Sequence, residues 1–146
     1  MKEFRILVCG GREYGWKWED GFRVPDQEQR RRFDRVLENC IRTYRERHPA
    51  ARIVIIHGAA KGADTLAHDF VVSSRRSSSD VLRDIHEESY PANWKEHGRA
   101  AGPIRNQHML TTGKPDVIIA FEGGEGTAHM VKIGRKSGVT VYEVKV

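Results

Sequence analysis

The chain has 146 residues, enough for a single domain, residues 1 to 146, that buries most of its apolar surface without disulfide help. Apolar residues make up 38% and charged residues 31%, no apolar run approaches a membrane span and no signal pattern follows "MKEFRILV", so a soluble, cytoplasmic protein without a membrane partner is expected. The formal charge of +5 favours anionic partners in general, while Cys9 and Cys40 fall in apolar patterns that read as reduced core thiols rather than a disulfide or a metal site.

Along the chain, short apolar runs alternate with longer helical patterns. "FRILVC" reads as the first strand, and the aromatic-rich stretch "REYGWKWEDGFRVP" after it is expected to be a long loop acting as a lid or binding loop. A helix from about Asp26 to Arg47 follows, with Phe33, Val36, Leu37, Ile41 and Tyr44 at helical spacing and arginines on a solvated face. "RIVIIH" is the second strand, leading to a helix from about Ala63 to Ser73 and then to "SSRRSSSD", read as a flexible surface linker. The third strand lies in "VLRDIHEESY", a helix starts near Pro103, "DVIIAF" is the fourth strand, a helix runs from about Thr127 to Lys136, and "VTVYEV" is the fifth strand. Strands separated by helices predict an α/β fold: a Rossmann-like, doubly wound parallel sheet of about five strands, order 3-2-1-4-5, with helices on both faces.

Three of these strands end in glycine, and in the predicted order they are neighbours, so the turns meet at one edge of the sheet, beside the switch point where open parallel sheets bind ligands. The first turn offers Gly10, Gly11 and Arg12, the second Gly58, Lys61, Gly62 and Asp64, and the third Gly123, Gly124, Gly126 and Thr127. Glycine lets a ligand approach the backbone, and the helix that follows presents unpaired N–H groups and the positive end of its dipole, which suits phosphate. Backbone geometry alone accounts for glycine at any one such turn. The convergence of all three favours a phosphate-bearing ligand, although none spells GxGxxG or the GK[ST] ending of a P-loop.

Pro103 fits the first residue of a helix, which places Arg105 in its opening turn beside Asn106, where a guanidinium can grip phosphate. A surface ion pair is the plainer role for Arg105. Asp64 either caps its helix or holds a ribose hydroxyl. Tyr14, Trp16, Trp18 and Trp94 either stack on a base or pack the long loop against the domain. His57 reads as a satisfied buried histidine ahead of a ligand contact, and His129 as an acid or base near neutral pH or a solvated side chain. No histidine pair shows a convincing metal-binding spacing, so no structural zinc is expected, and no cofactor is expected either.

Four ordered blocks, "CGGREY", "HGAAKGADTLA", "YPANWKEHGRAAGPIRNQHML" and "GGEGTAHMV", together resemble the YspA-type, cpYpsA-related family of the SLOG superfamily, which also holds the Lonely Guy phosphoribohydrolases and the DNA-processing protein DprA. The resemblance implies a Rossmann-like fold whose glycine turns hold a nucleotide or nucleotide-derived ligand, such as a nucleoside monophosphate or ADP-ribose, as sensor or carrier. Lonely Guy enzymes cleave N-glycosidic bonds and carry PGGxGTxxE with an arginine in a neighbouring helix. Here Gly123, Gly124, Gly126, Thr127 and Arg105 match, whereas the proline position is Glu122 and the glutamate position is Met130. An N-ribohydrolase is therefore the alternative, with Arg105 on phosphate and Asp64 or Glu125, or else Glu122, as the acid that oxocarbenium chemistry requires. Binding of single-stranded nucleic acid is the third reading, and analogy with related proteins adds a homo-oligomer.

Overall fold

The apolar runs become the strands of one twisted parallel sheet, because only a strand buried on both faces has use for unbroken Ile and Val. In the computed structural model, which describes residues 2–146, the sheet strands are β1 (Glu3–Cys9), β4 (Arg52–His57), β5 (Ile85–Ser89), β6 (Val117–Ala120) and β7 (Thr140–Glu143). Their spatial order is β5-β4-β1-β6-β7, all parallel, with β1 central and in register Ile6 against Ile55 and Val117. Counted over the sheet strands alone this is 3-2-1-4-5. The numbering differs because two further strands, β2 (Trp16–Glu19) and β3 (Phe22–Pro25), pair antiparallel in a separate small sheet.

That hairpin corrects the expectation of a long loop. Asp20 and Gly21 form its two-residue turn with φ of 52° and 82°. Two positive φ values in succession give the turn whose twist matches antiparallel strands, and Asp-Gly is the dipeptide that accepts them.

Alternate residues along the strands feed two cores. On one face Ile6, Val8, Ile53 and Ile55 pack against Phe33, Leu37 and Ile41 of α1 (Gln27–Arg47) and Leu66 and Phe70 of α2 (Ala63–Ser74). On the other, Leu7, Val54, Ile56 and Ile118 meet Met109 and Leu110 of α4 (Ala101–Gly113) and Met130 and Val131 of α5 (Glu125–Lys136). Helices on both faces thus follow from the strands' period of two and the helices' apolar stripe. Asp26 caps α1 by accepting a hydrogen bond from the Gln29 N–H at 3.1 Å. At the other end Arg45 is 6% exposed, and its guanidinium donates to the carbonyls of Val81 (2.8 Å), Ala51 (2.7 Å), Pro49 (3.3 Å) and Arg83, tying α1 to the approaches of β4 and β5.

The "SSRRSSSD" stretch is divided rather than uniformly loose: α2 runs through Ser74, whose hydroxyl donates to Val71 O, and Asp80 opens a short 3-10 turn. A four-residue helix α3 (Trp94–His97) precedes α4, and Pro103 is the third helical residue of α4, not the first. Among the described residues no helix is long and apolar enough to cross a membrane.

Candidate functional site

The three glycine turns leave β1, β4 and β6 at their carboxyl ends, and the backbone itself draws them together. The Gly11 N–H donates to Glu122 O (2.9 Å), joining the first turn to the third, and Gly11 O accepts from Ala63 N–H (3.2 Å), joining it to the second. Gly62 allows this approach: its φ is 76°, and a Cβ there would lie 2.1 Å from Gly11 O. Gly62 is accordingly buried beneath the rim and lines no cavity described below.

Above this knot opens a cleft of ≈ 620 Å³. Its floor is Cys9, Gly10, Gly11 and Asp64, one wall is Gly124, Glu125, Gly126 and Thr127, and the opposite wall is Trp94, Arg99, Arg105 and Asn106. Arg12 stands at the mouth, its guanidinium 5.4 Å from the Trp94 ring centroid, a cation–π distance. Gly58 and Lys61 line a smaller adjoining cavity of ≈ 250 Å³ that shares Arg12, Ala60, Trp94 and Arg105 with the cleft. Gly123 is packed against the first turn, where a Cβ would meet Gly11 N at 2.6 Å, and it borders a separate hollow beside β7.

The two outer turns differ in how their polar groups are used. In the second, Asp64 does not cap α2; its Oδ2 accepts from the N–H groups of Gly58 and Ala60, both at 3.1 Å. The Ala59 N–H donates to His57 Nδ1 at 3.0 Å. Three consecutive N–H groups are thus consumed by the protein's own side chains, and the turn is closed around an internal carboxylate. Ala59 is held at φ 56°, a left-handed conformation that costs roughly 1–2 kcal/mol for a residue with a Cβ.

In the third turn carbonyls are used, but the N–H groups that open α5 are not. No side chain caps α5, the first intrahelical bond is Ala128 N–H to Gly124 O, and among the described residues the N–H groups of Glu125, Gly126 and Thr127 have no acceptor. A Cβ on Gly124 or Gly126 would meet no atom within 4 Å. Packing therefore does not require glycine at either position; Gly124 is the N-cap of α5, where glycine is tolerated, whereas Gly126 lies inside the helix and costs about 0.5–1 kcal/mol relative to alanine.

Arg105 faces this opening across the cleft. Its Nη1 donates to Gly58 O (2.6 Å) and its Nε to Asn106 Oδ1 (3.0 Å), while Nη2 has no protein partner among the described residues. Burial lowers its pKa, Asp64 opposes that effect and Arg12 adds to it. The surface ion pair considered for Arg105 is not what forms. Asn106, 4% exposed, donates through Nδ2 to Gly126 O (3.1 Å) and to His129 Nδ1 (3.1 Å), so it fixes the start of α5 against α4. His129 is half-buried and lines the cleft.

Electrostatically the floor carries Asp64, the wall with Arg99 and Arg105 is basic, and the facing wall carries the Glu125 carboxylate. Burial pushes the Asp64 carboxyl up, against the N–H groups of Ala60 and Gly58 and the nearby His57 and Arg105. Burial also pushes the Cys9 thiol up to about 12, with Asp64 adding to the effect, so it is an inert wall rather than a nucleophile. Both cysteines are free.

Of the aromatic residues considered for stacking, only Trp94 lines the cleft. Tyr14 is 3% exposed and packs 5.1 Å from the Phe121 ring in the core. Trp16 lies near the guanidinia of Arg23 (4.2 Å) and Arg30 (4.4 Å), and Trp18 projects into solvent on the hairpin, so neither lines the cleft. Arg99 was missed; its signal was a basic residue just before the helix that carries Arg105. Met130 is fully buried in the core between the sheet and α4 and α5 and does not line the cleft.

His57, 3% exposed, is the satisfied buried histidine expected. Its Nε2 lies 2.6 Å from Glu87 Oε2, which also accepts from His68 Nδ1 at 2.8 Å. Burial alone would raise the Glu87 carboxyl, but the hydrogen bonds from the two imidazoles outweigh it and hold its pKa below the usual range. The ligand atoms of this trio lie within 4.8 Å of one another, a spacing a metal could exploit. The tautomer argues otherwise. A metal-bound histidine donates its second ring N–H, whereas His57 Nδ1 accepts from Ala59, so the ring proton sits on Nε2 and points at Glu87.

Fold and cleft together define a Rossmann-like α/β protein with its concave surface at the carboxyl edge of a parallel sheet. Over 91 residues, 61% of this chain and 69% of the relative, the sequence is 35% identical to the Gene 61 protein of Mycobacterium phage D29. The chain belongs to the family of that phage protein. No family model and no solved structure matches it.

Proposed function

We propose that the cleft binds a nucleotide or nucleotide-derived ligand, a nucleoside monophosphate or an ADP-ribose-like molecule, as a sensor or carrier and in the manner of the SLOG superfamily. The opening of α5 carries the reading: uncapped N–H groups and two glycines that leave open space, directed into the same cleft as a guanidinium nitrogen without a partner. Phosphate would sit on those N–H groups and on Arg105, with Trp94 and Arg12 at the mouth offering a flat, cationic surface to a base. A volume of ≈ 620 Å³ accommodates such a ligand. The free cysteines accord with a reducing, cytoplasmic setting.

Native mass spectrometry of the purified protein, followed by calorimetric titration with adenosine 5′-monophosphate and ADP-ribose, tests the proposal. A stoichiometric nucleotide adduct, or micromolar binding that Arg105→Ala weakens, supports it. Absence of any adduct together with no heat at millimolar ligand overturns it.

One observation favours an N-ribohydrolase as the second reading: Asp64, an acid with raised pKa on the cleft floor, is the type of group that catalysis recruits. Release of free base from a nucleotide panel, lost in Asp64→Asn, would establish that activity. Met130 weighs against it, since the position that carries the acid in Lonely Guy enzymes here faces hydrocarbon.

A further inference from the structure

Glu87 lines neither cavity of the site, yet one chain of contacts runs from it to the cleft. Glu87 lies on β5, beside His57 at the end of β4. A carboxylate can only accept, so it takes the proton of His57 Nε2 at 2.6 Å and leaves Nδ1 as the acceptor. That nitrogen receives the Ala59 N–H at 3.0 Å and holds Ala59 in its left-handed conformation, φ 56°. The adjoining residue, Gly58, presents its carbonyl to Arg105 Nη1 at 2.6 Å. With Nη1 anchored there and Nε on Asn106, the guanidinium plane is set, and so is the direction of Nη2.

We infer that Glu87 is a positioning residue for the nucleotide cleft: by fixing the His57 tautomer it shapes the second glycine turn and, through the Gly58 carbonyl, aims Arg105 at the phosphate site. The inference rests on the proposed function for what Arg105 grips, but the relay itself is a property of the apo protein. With the acceptor gone, the imidazole proton can move to Nδ1, where it opposes the Ala59 N–H, and the turn loses the contact that sustains its strained residue. A glutamine at this place can still accept through its carbonyl oxygen and preserve the relay. His68, more than half exposed on α2, also donates to Glu87 and steadies it from the solvent side.

The test combines long-range nitrogen–proton correlation spectra of the histidine rings with titration of adenosine 5′-monophosphate into the wild type, Glu87→Ala and Glu87→Gln, the His57 ring being assigned by its disappearance in His57→Gln. The expected result is an Nε2–H ring for His57 in the wild type and Glu87→Gln, a mixed or Nδ1–H ring in Glu87→Ala, and nucleotide affinity about tenfold lower in Glu87→Ala alone. An unchanged tautomer in Glu87→Ala, or an affinity equal to that of the wild type, overturns the inference, as does a loss in Glu87→Gln as large as in Glu87→Ala. If the wild type binds no nucleotide, the proposed function fails by itself. The relay is then decided by the ring spectra and by whether the Arg105 guanidinium resonances shift in Glu87→Ala.

Discussion

The second and third glycine turns resemble each other in sequence, "HGAAKGAD" and "FEGGEGT", yet they are opposites in construction. The second folds back on itself: Asp64 and His57 accept the N–H groups of Gly58, Ala59 and Ala60, the Ala63 N–H at the start of α2 is met by Gly11 O, and Gly62 is pressed against that same oxygen. The third is unfinished, with three N–H groups unmet and two glycines facing open space. Gly62 serves the close approach of backbone to backbone, as does Gly123 at the base of the third turn; Gly124 and Gly126 leave room that the protein does not fill. The difference separates scaffold from binding surface within a single rim.

The sharpest way to break the scaffold turn is Gly62→Ala. The new methyl would need φ near 76° and would overlap Gly11 O at 2.1 Å. With backbone on both sides of the clash, a loss of about 3–5 kcal/mol is expected in chemical denaturation. Next in size is Arg105→Ala, which should leave the fold standing and cost ligand affinity. Charge-assisted hydrogen bonds contribute about 1.5–3 kcal/mol, so calorimetry should record a decrease of roughly ten- to a hundredfold.

Smaller, and distinctive in sign, is the pH dependence of the internal carboxylate. Because burial raises the folded pKa of Asp64 above its ordinary 3.8, the native state holds this proton longer than the unfolded chain. The stabilisation is full below the ordinary value and is lost as pH climbs through the raised one. Asp64→Asn should abolish that decline. Glu87, whose folded pKa is lowered, works in reverse, stabilising above its ordinary 4.5 and losing its contribution as pH falls through the lowered value. Denaturation curves for the two amide variants between pH 3 and 7 should therefore diverge from the wild type in opposite directions.

Much of this was legible in the sequence, and the reasons are local. Unbroken apolar runs such as "IVII" allow little other than a doubly buried strand, and strands alternating with helices leave few topologies, so the parallel sheet and the meeting of the turns followed. The hairpin has its own signal in Asp20-Gly21, but it lies among aromatic residues whose pattern suits ligand stacking as well as strand pairing. What could not be read was the partner of each polar group. That Asp64 would turn back on Gly58 and Ala60, or that Glu87 on a neighbouring strand would reach His57, depends on contacts between segments that no spacing encodes.

The smallest expected effect tests the contrast most directly, because it should have opposite signs in the two things measured. Gly126 lies in the first turn of α5 with ordinary helical backbone and no neighbour within 4 Å of a Cβ. As scaffold, the position gains from alanine: the unfolded chain loses freedom and the helix gains propensity, about 0.5–1 kcal/mol, visible as a rise in Tm of a few degrees. As binding surface it suffers, because the methyl enters the cleft where phosphate would meet the backbone N–H groups, and affinity for a nucleoside monophosphate should fall by roughly tenfold. A protein made more stable and less able to bind by one methyl group would confirm that this glycine is kept for a ligand. If Gly126→Ala raises Tm and leaves binding untouched, the phosphate lies elsewhere and the distinction between the two turns loses its functional meaning.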